Sequence, residues 1–140
     1  MVDEARLRTL LDRLRDLEQE LDRLRGLGRD AVLQDVDRLN SVKYTFVLAA
    51  EVAIDAGQHV IAAEGLRAAD TYAGVFERLA AEGWLPEDLA ASLGNLARFR
   101  KLLVHGYADV DDERVVDLLH GPDLVDLAAL RRHLARRLRG

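Results

Sequence analysis

Arg100, His105 and Tyr107 stand close together in Phe99-Arg100-Lys101-Leu102-Leu103-Val104-His105-Gly106-Tyr107, at the end of a segment otherwise rich in alanine and leucine. Their side chains carry complementary chemistry. An arginine fork can hold a phosphate, a histidine can move a proton near neutral pH, and a tyrosine offers a hydroxyl for hydrogen bonding or modification. The set suits work on a phosphodiester. The apolar stripe of this segment reads Leu89, Leu93, Leu96, Arg100, Leu103, so Arg100 takes a position where a helical period asks for an apolar residue. A guanidinium there is costly unless it is paired or lines a cleft. Either Arg100 lines a cleft, or it sits at the edge of the stripe, extends its stem to water and pairs with Asp55 or another acid.

Spacing alone does not join the three residues. His105 lies five residues after Arg100, which turns it roughly 140° away on a regular helix. A helix that tightens before Gly106, the reach of the arginine, or a second subunit would have to bring the two groups together. His105 can be a simple helix cap; its place at a helix C-terminus, where the macrodipole favours positive charge, also suits a proton donor beside an anion. Tyr107, just past the glycine, falls outside the helix, and its bland reading is a ring packed under the following loop.

Other candidates are weaker. Asp55 and His59 stand at i and i+4 and could be read as a metal pair, but no third ligand has the required spacing, so no metal and no cofactor is expected. His120 and His133 are isolated. No glycine-rich phosphate loop, nucleophile elbow or zinc signature occurs.

The elements that must position Arg100 and His105 are helical. Leu7, Leu10, Leu14, Leu17, Leu21 and Leu24 fall on one stripe, which predicts a first helix over 1–25 ended by Gly26 and Gly28. The stripe suits either a bundle helix or a short zipper. A long central helix is expected over 30–64, capped by Asp30 and running through Val36, Leu39, Val42, Phe46, Ala50 and Ile54. A third follows near Thr71–Glu82, with Tyr72, Val75, Phe76 and Leu79 as its apolar face. The motif-bearing helix spans 86–105, opened by Pro86. Asp111 to Glu113 favour a further helix start, and a last helix runs from Asp123 to Arg139 after the Gly121-Pro122 break. No stretch alternates with the period of a strand. The expectation is one all-α domain over 1–140, an antiparallel bundle of five to six helices.

Composition bounds the class. A chain of 140 residues with 49% hydrophobic and 32% charged residues can bury one core. Cysteine is absent, which removes disulfides and cysteine-type zinc sites. The N-terminus is charged, and no apolar run approaches the roughly 20 residues of a membrane span, so no membrane association is expected and the cytoplasm is the default compartment. The net charge of −5 argues against a protein that coats nucleic acid. Positive charge gathers instead at Arg98, Arg100 and Lys101, and again at Arg131, Arg132, Arg136, Arg137 and Arg139, with an acidic run between. Such local basic sites favour small contact areas.

The pattern R-x-x-x-x-H-x-Y formed by Arg100, His105 and Tyr107 resembles that of the HepT-like branch of the HEPN superfamily. The similarity extends to Val52-Ala53-Ile54-Asp55 with His59 and Ile61, to Gly65-Leu66-Arg67, to Tyr72–Phe76 with Leu79, Ala80 and Gly83, and to Val110-Asp111 with Val115. The resemblance implies a helical-bundle toxin that is a metal-independent endoribonuclease, working as a homodimer and partnered by a small nucleotidyltransferase antitoxin of the MntA type. By position it implies that Arg100 holds the scissile phosphate and His105 exchanges the proton. It makes Tyr107 an RNA contact and the acceptor of AMP from ATP. Lys101 departs from the family, where a small polar residue often follows the arginine. The alternative is a non-catalytic helical module that binds a nucleotidyltransferase.

Overall fold

The computed structural model of the chain describes residues 3–106 and 110–138. Seven helices form among them: α1 (Glu4–Gly26), α2 (Arg29–Leu33), α3 (Val36–Ala63), α4 (Tyr72–Ala81), α5 (Glu87–His105), α6 (Asp112–Leu119) and α7 (Asp123–Ala135). The all-α bundle expected from the sequence is present. One helix more than expected arises because the segment predicted as a single helix from Asp30 is interrupted. Asp35 adopts an extended backbone and its carboxylate accepts from the Asp37 and Arg38 amides, which caps α3 and leaves α2 as a separate short turn.

The leucine stripe of α1 is a bundle stripe rather than a free zipper. Leu7, Leu10, Leu14, Leu21 and Leu24 are buried and Leu17 is half-buried, with the helix seated against α3 and α7. Asp3 caps its start through the Arg6 amide. α3 is the central element, touching every other helix. Its small residues let neighbours come close: a Cβ built on Gly57 would stand 2.6 Å from Val75 Cγ1 of α4. By length and mean hydropathy α3 could cross a bilayer, contrary to the expectation that no such run exists, yet 56% of its most apolar window is buried in the bundle. Its polar residues serve the same packing. Lys43, only 6% exposed, donates to Asp112 Oδ1 (3.1 Å) at the start of α6, where Asp111 supplies the cap expected from the acidic run.

α4 and α5 pair along their lengths across the turn 82–86. Thr71 caps α4 through the Gly74 amide (3.0 Å), and Gly83, at φ +80, makes the turn that returns the chain. Pro86 stands just before α5, where its missing N–H costs nothing. Gly106 closes α5, its amide donating to the Leu102 carbonyl (2.8 Å).

The start of α7 carries an unrelieved carboxyl pair. Asp123 is buried, and its Oδ2, like that of Asp126, has no hydrogen-bond partner among the described residues. Burial first, and then the charge of Asp126, push the Asp123 carboxyl up to about 6 from 3.8, while burial and then Asp88 raise Asp126. A group raised on folding contributes stability that is complete below its unfolded value and lost as pH rises through its folded one. Asp123→Asn is therefore expected to be the more stable protein at neutral pH, by on the order of 2 kcal/mol, with the difference vanishing near pH 4. Urea titrations at both pH values check it; an advantage that persists at acid pH would contradict the assignment.

Candidate active site

The second half of α5 faces the start of α4 across an open cleft of about 640 Å³, whose walls include Arg100, Lys101 and His105 on one side and Asp70, Thr71 and Tyr72 on the other. Lys101 and His105 share a face of α5 by their i, i+4 spacing. Arg100, turned away from them by the helical repeat, reaches the same cleft along its side chain. One chain thus brings the motif arginine and histidine to a common cavity, although their spacing points them apart.

Arg100 is held from two directions. Its Nη2 donates to Glu51 Oε1 of α3 at 2.8 Å, and its guanidinium carbon lies 5.3 Å from the centre of the Tyr72 ring. Its side chain is 17% exposed, against 40% for Glu51, so the ion pair opens to solvent on the acid's side. Nε is buried without an acceptor. The partially desolvated arginine keeps a fixed orientation, with an acid and an aromatic face to set it, which is what recognition by a planar fork requires. The anticipated partner Asp55 is exposed and sits one turn further along α3; Glu51 takes its place.

His105, the last residue of α5, is exposed at the mouth of the cleft. Lys101, exposed as well, adds a second cation to the same wall. Arg98 also lines it, with Nη1 donating to Asn95 Oδ1 (2.9 Å). Tyr107 lies outside the described residues. Tyr72, which the spacing assigns to an apolar face with Val75, Phe76 and Leu79, is instead 50% exposed and presents its ring to the cleft, while the other three are buried. Asp55 and His59 do not assemble a metal site: His59 Nε2 is buried without a partner, and no cluster of three potential ligands forms among the described residues.

Chemically the cleft offers a fixed guanidinium, the Lys101 ammonium, an imidazole able to exchange a proton and an aromatic platform. An anionic ligand with a flat group beside it matches that inventory. Glu51 and Tyr72 escaped the sequence reading. Glu51 left one signal there, a lone acid in the apolar run Ala49-Ala50-Glu51-Val52-Ala53.

Two of the solved structures that share this fold match nearly the whole of this chain. One is the cytosolic protein of unknown function YutE from Bacillus subtilis, 18% identical, with a TM-score of 0.84 over 96% of this chain and 90% of that one. The other is a crystal structure of a toxin-antitoxin with AMP-PNP, 19% identical, with a TM-score of 0.83 over 96% of this chain and 99% of that one. Sequence comparison with curated proteins gives no match. The model of the family described as ribonuclease HepT-like matches residues 10–134, nearly the whole chain, and the chain belongs to that family.

Proposed function

We propose that this chain is the toxin of a toxin-antitoxin pair and cuts RNA without a metal, using Arg100 and His105. The observation that carries the reading is their convergence on one cleft, with Arg100 oriented by Glu51 and Tyr72. The family supports it, and so does the shared fold with a toxin-antitoxin structure. In the reaction the ribose 2′-oxygen attacks the adjacent phosphorus and the 5′-oxygen of the next nucleotide leaves. A 2′,3′-cyclic phosphate and a 5′-hydroxyl result. Arg100 holds the phosphate oxygens as charge builds on them, and His105 exchanges the proton with the attacking or the leaving oxygen. Lys101 adds attraction for the flanking phosphate.

The working form is a homodimer in the cytoplasm. Apolar side chains left in solvent on the two helices that hold Arg100 and Glu51 support the dimer: Val104, one turn past Arg100, is 45% exposed, and Tyr44, two turns before Glu51 on the same stripe of α3, is 65% exposed. A nucleotidyltransferase antitoxin neutralises the toxin by joining AMP to Tyr107, by masking the cleft, or both.

The test is RNA incubated with purified protein in EDTA. RNA is cut to cyclic-phosphate ends, whereas DNA of the same sequence, lacking the 2′-hydroxyl, stays intact. With a partner nucleotidyltransferase and ATP the protein gains the mass of one AMP, a gain lost in Tyr107→Phe. The Glu51–Arg100 pair, which gives the guanidinium an acid partner within the fold, favours a second reading as a non-catalytic module binding a nucleotidyltransferase. RNA left intact across salt and pH, together with stable complex formation, would establish that alternative.

A further inference from the structure

On helices that contribute nothing to the Arg100 cleft, the seam between α1 and α7 opens into a groove of about 480 Å³ walled by Arg8, Arg15, Arg131, Arg132 and Arg136. Asp12 is the one acid in that wall. Five guanidiniums side by side in a chain of net charge −5 are a local excess of positive potential that folding alone does not require. Part of the charge is already spoken for. Arg131 forms a fork on Glu18, with Nε and Nη2 donating to its two oxygens at 2.9 and 3.1 Å, and Arg8 lies 3.9 Å from Glu4. Arg15 and Arg132 have neither an ion pair nor a hydrogen bond among the described residues.

The shape of the groove is that of a track rather than a cup. Arg15, Arg131 and Arg132 also line a neighbouring depression that continues along α1 to Arg25, where two acids stand among them: Glu18, held by the Arg131 fork, and Asp22. At the helical rise, Arg8, Arg15 and Arg25 are spaced by about 10 and 15 Å along the axis. A single small anion would engage one end of such a row; a polymer of anions can follow all of it. Leu11, Ala135 and Leu138 give the groove an apolar lining on which sugar and base faces can rest. The potential is felt locally. Burial first, then the charges of Arg136 and Arg132, hold the His133 imidazole below its ordinary value.

We infer that the α1–α7 groove binds the phosphate backbone of an RNA strand, as a site separate from the Arg100–His105 cleft. The choice of RNA as the polyanion rests on the proposed ribonuclease reading; the groove itself does not. Arginine forks match phosphate oxygens in pairs without reading sequence, so the groove supplies affinity and direction while the cleft supplies chemistry.

The experiment uses the full chain with His105→Ala, so that the probe survives, and a fluorescein-labelled oligouridine followed by anisotropy over a range of salt. Arg15→Gln with Arg132→Gln removes the two unpaired guanidiniums; both lie clear of the core and of the Glu18 pair, and a melting curve checks the fold. The double variant is expected to bind about tenfold more weakly at low salt, and its dependence of log affinity on log salt to be shallower by about 1.4, near 0.7 for each phosphate no longer neutralised. Affinity and salt slope equal to the parent's would overturn the inference. Displacement of the oligouridine by polyglutamate of equal charge as readily as by unlabelled RNA would also overturn it, since the groove would then be a seat for an acidic protein segment. The inference and the ribonuclease reading fail separately. A wild-type protein that binds through the groove and cuts nothing defeats only the latter, and one that cuts RNA while the double variant binds normally defeats only the former.

Discussion

His105→Ala is expected to lower RNA cleavage at least about a hundredfold while the protein melts within a few degrees of the wild type. The residue is exposed and ends α5, so its side chain supports no core packing. In the proposed reaction it supplies the proton-exchanging group at the mouth of the cleft, and holding phosphate falls to Arg100. Arg100→Ala should cost about 10²- to 10³-fold, as removal of a preorganised donor does. Its loss also frees Glu51, leaving a carboxylate to face the incoming phosphate. Adding Glu51→Gln to Arg100→Ala should therefore recover part of the loss. Initial rates on a labelled RNA, with products checked for cyclic-phosphate ends, distinguish the two roles. A His105→Ala protein that cuts at the wild-type rate removes the histidine from the chemistry.

The parts of this arrangement written in local spacing were legible from the chain, and the parts made by packing between distant segments were not. The α1 leucines repeat at the helical period because one face of that helix is buried, so the stripe could be read directly. Gly83, Gly106 and the acids at Asp111–Glu113 mark element ends by their own backbone chemistry. The break at Asp35 was hidden because Val32 and Leu39, both buried, keep helical register across it; only Val36, counted in the stripe and yet 68% exposed, betrays the change of direction. The Glu51–Arg100 pair joins residues 49 apart on two helices, a relation no periodicity records. Tyr72 fits an apolar repeat equally well as a core residue or as a wall, and the neighbouring α5 decides which. The motif suggested the chemistry, while tertiary packing brought the arginine and histidine to one cavity.

Arg131→Ala should destabilise the fold by about 3 kcal/mol, which for a domain of this size lowers the melting temperature by on the order of 10 °C. Glu18 lies between Leu14 and Leu21 on the buried face of α1, and its side chain is 10% exposed. Both of its oxygens accept from the Arg131 fork. Removing the arginine leaves a largely buried carboxylate without the two donors that satisfied it, and that penalty, rather than the worth of the pair itself, sets the magnitude. The reverse deletion is milder. Arg131 is 20% exposed at the groove and can turn its head to solvent on a flexible stem, so Glu18→Ala should cost roughly half as much. Replacing both, as Glu18→Leu with Arg131→Met, fills the same space with apolar groups and should return most of the stability. Thermal and urea unfolding of the four proteins closes the cycle. Equal losses for the two single variants would mean that the pair behaves as a surface ion pair, and that α1 and α7 are joined by their leucines alone.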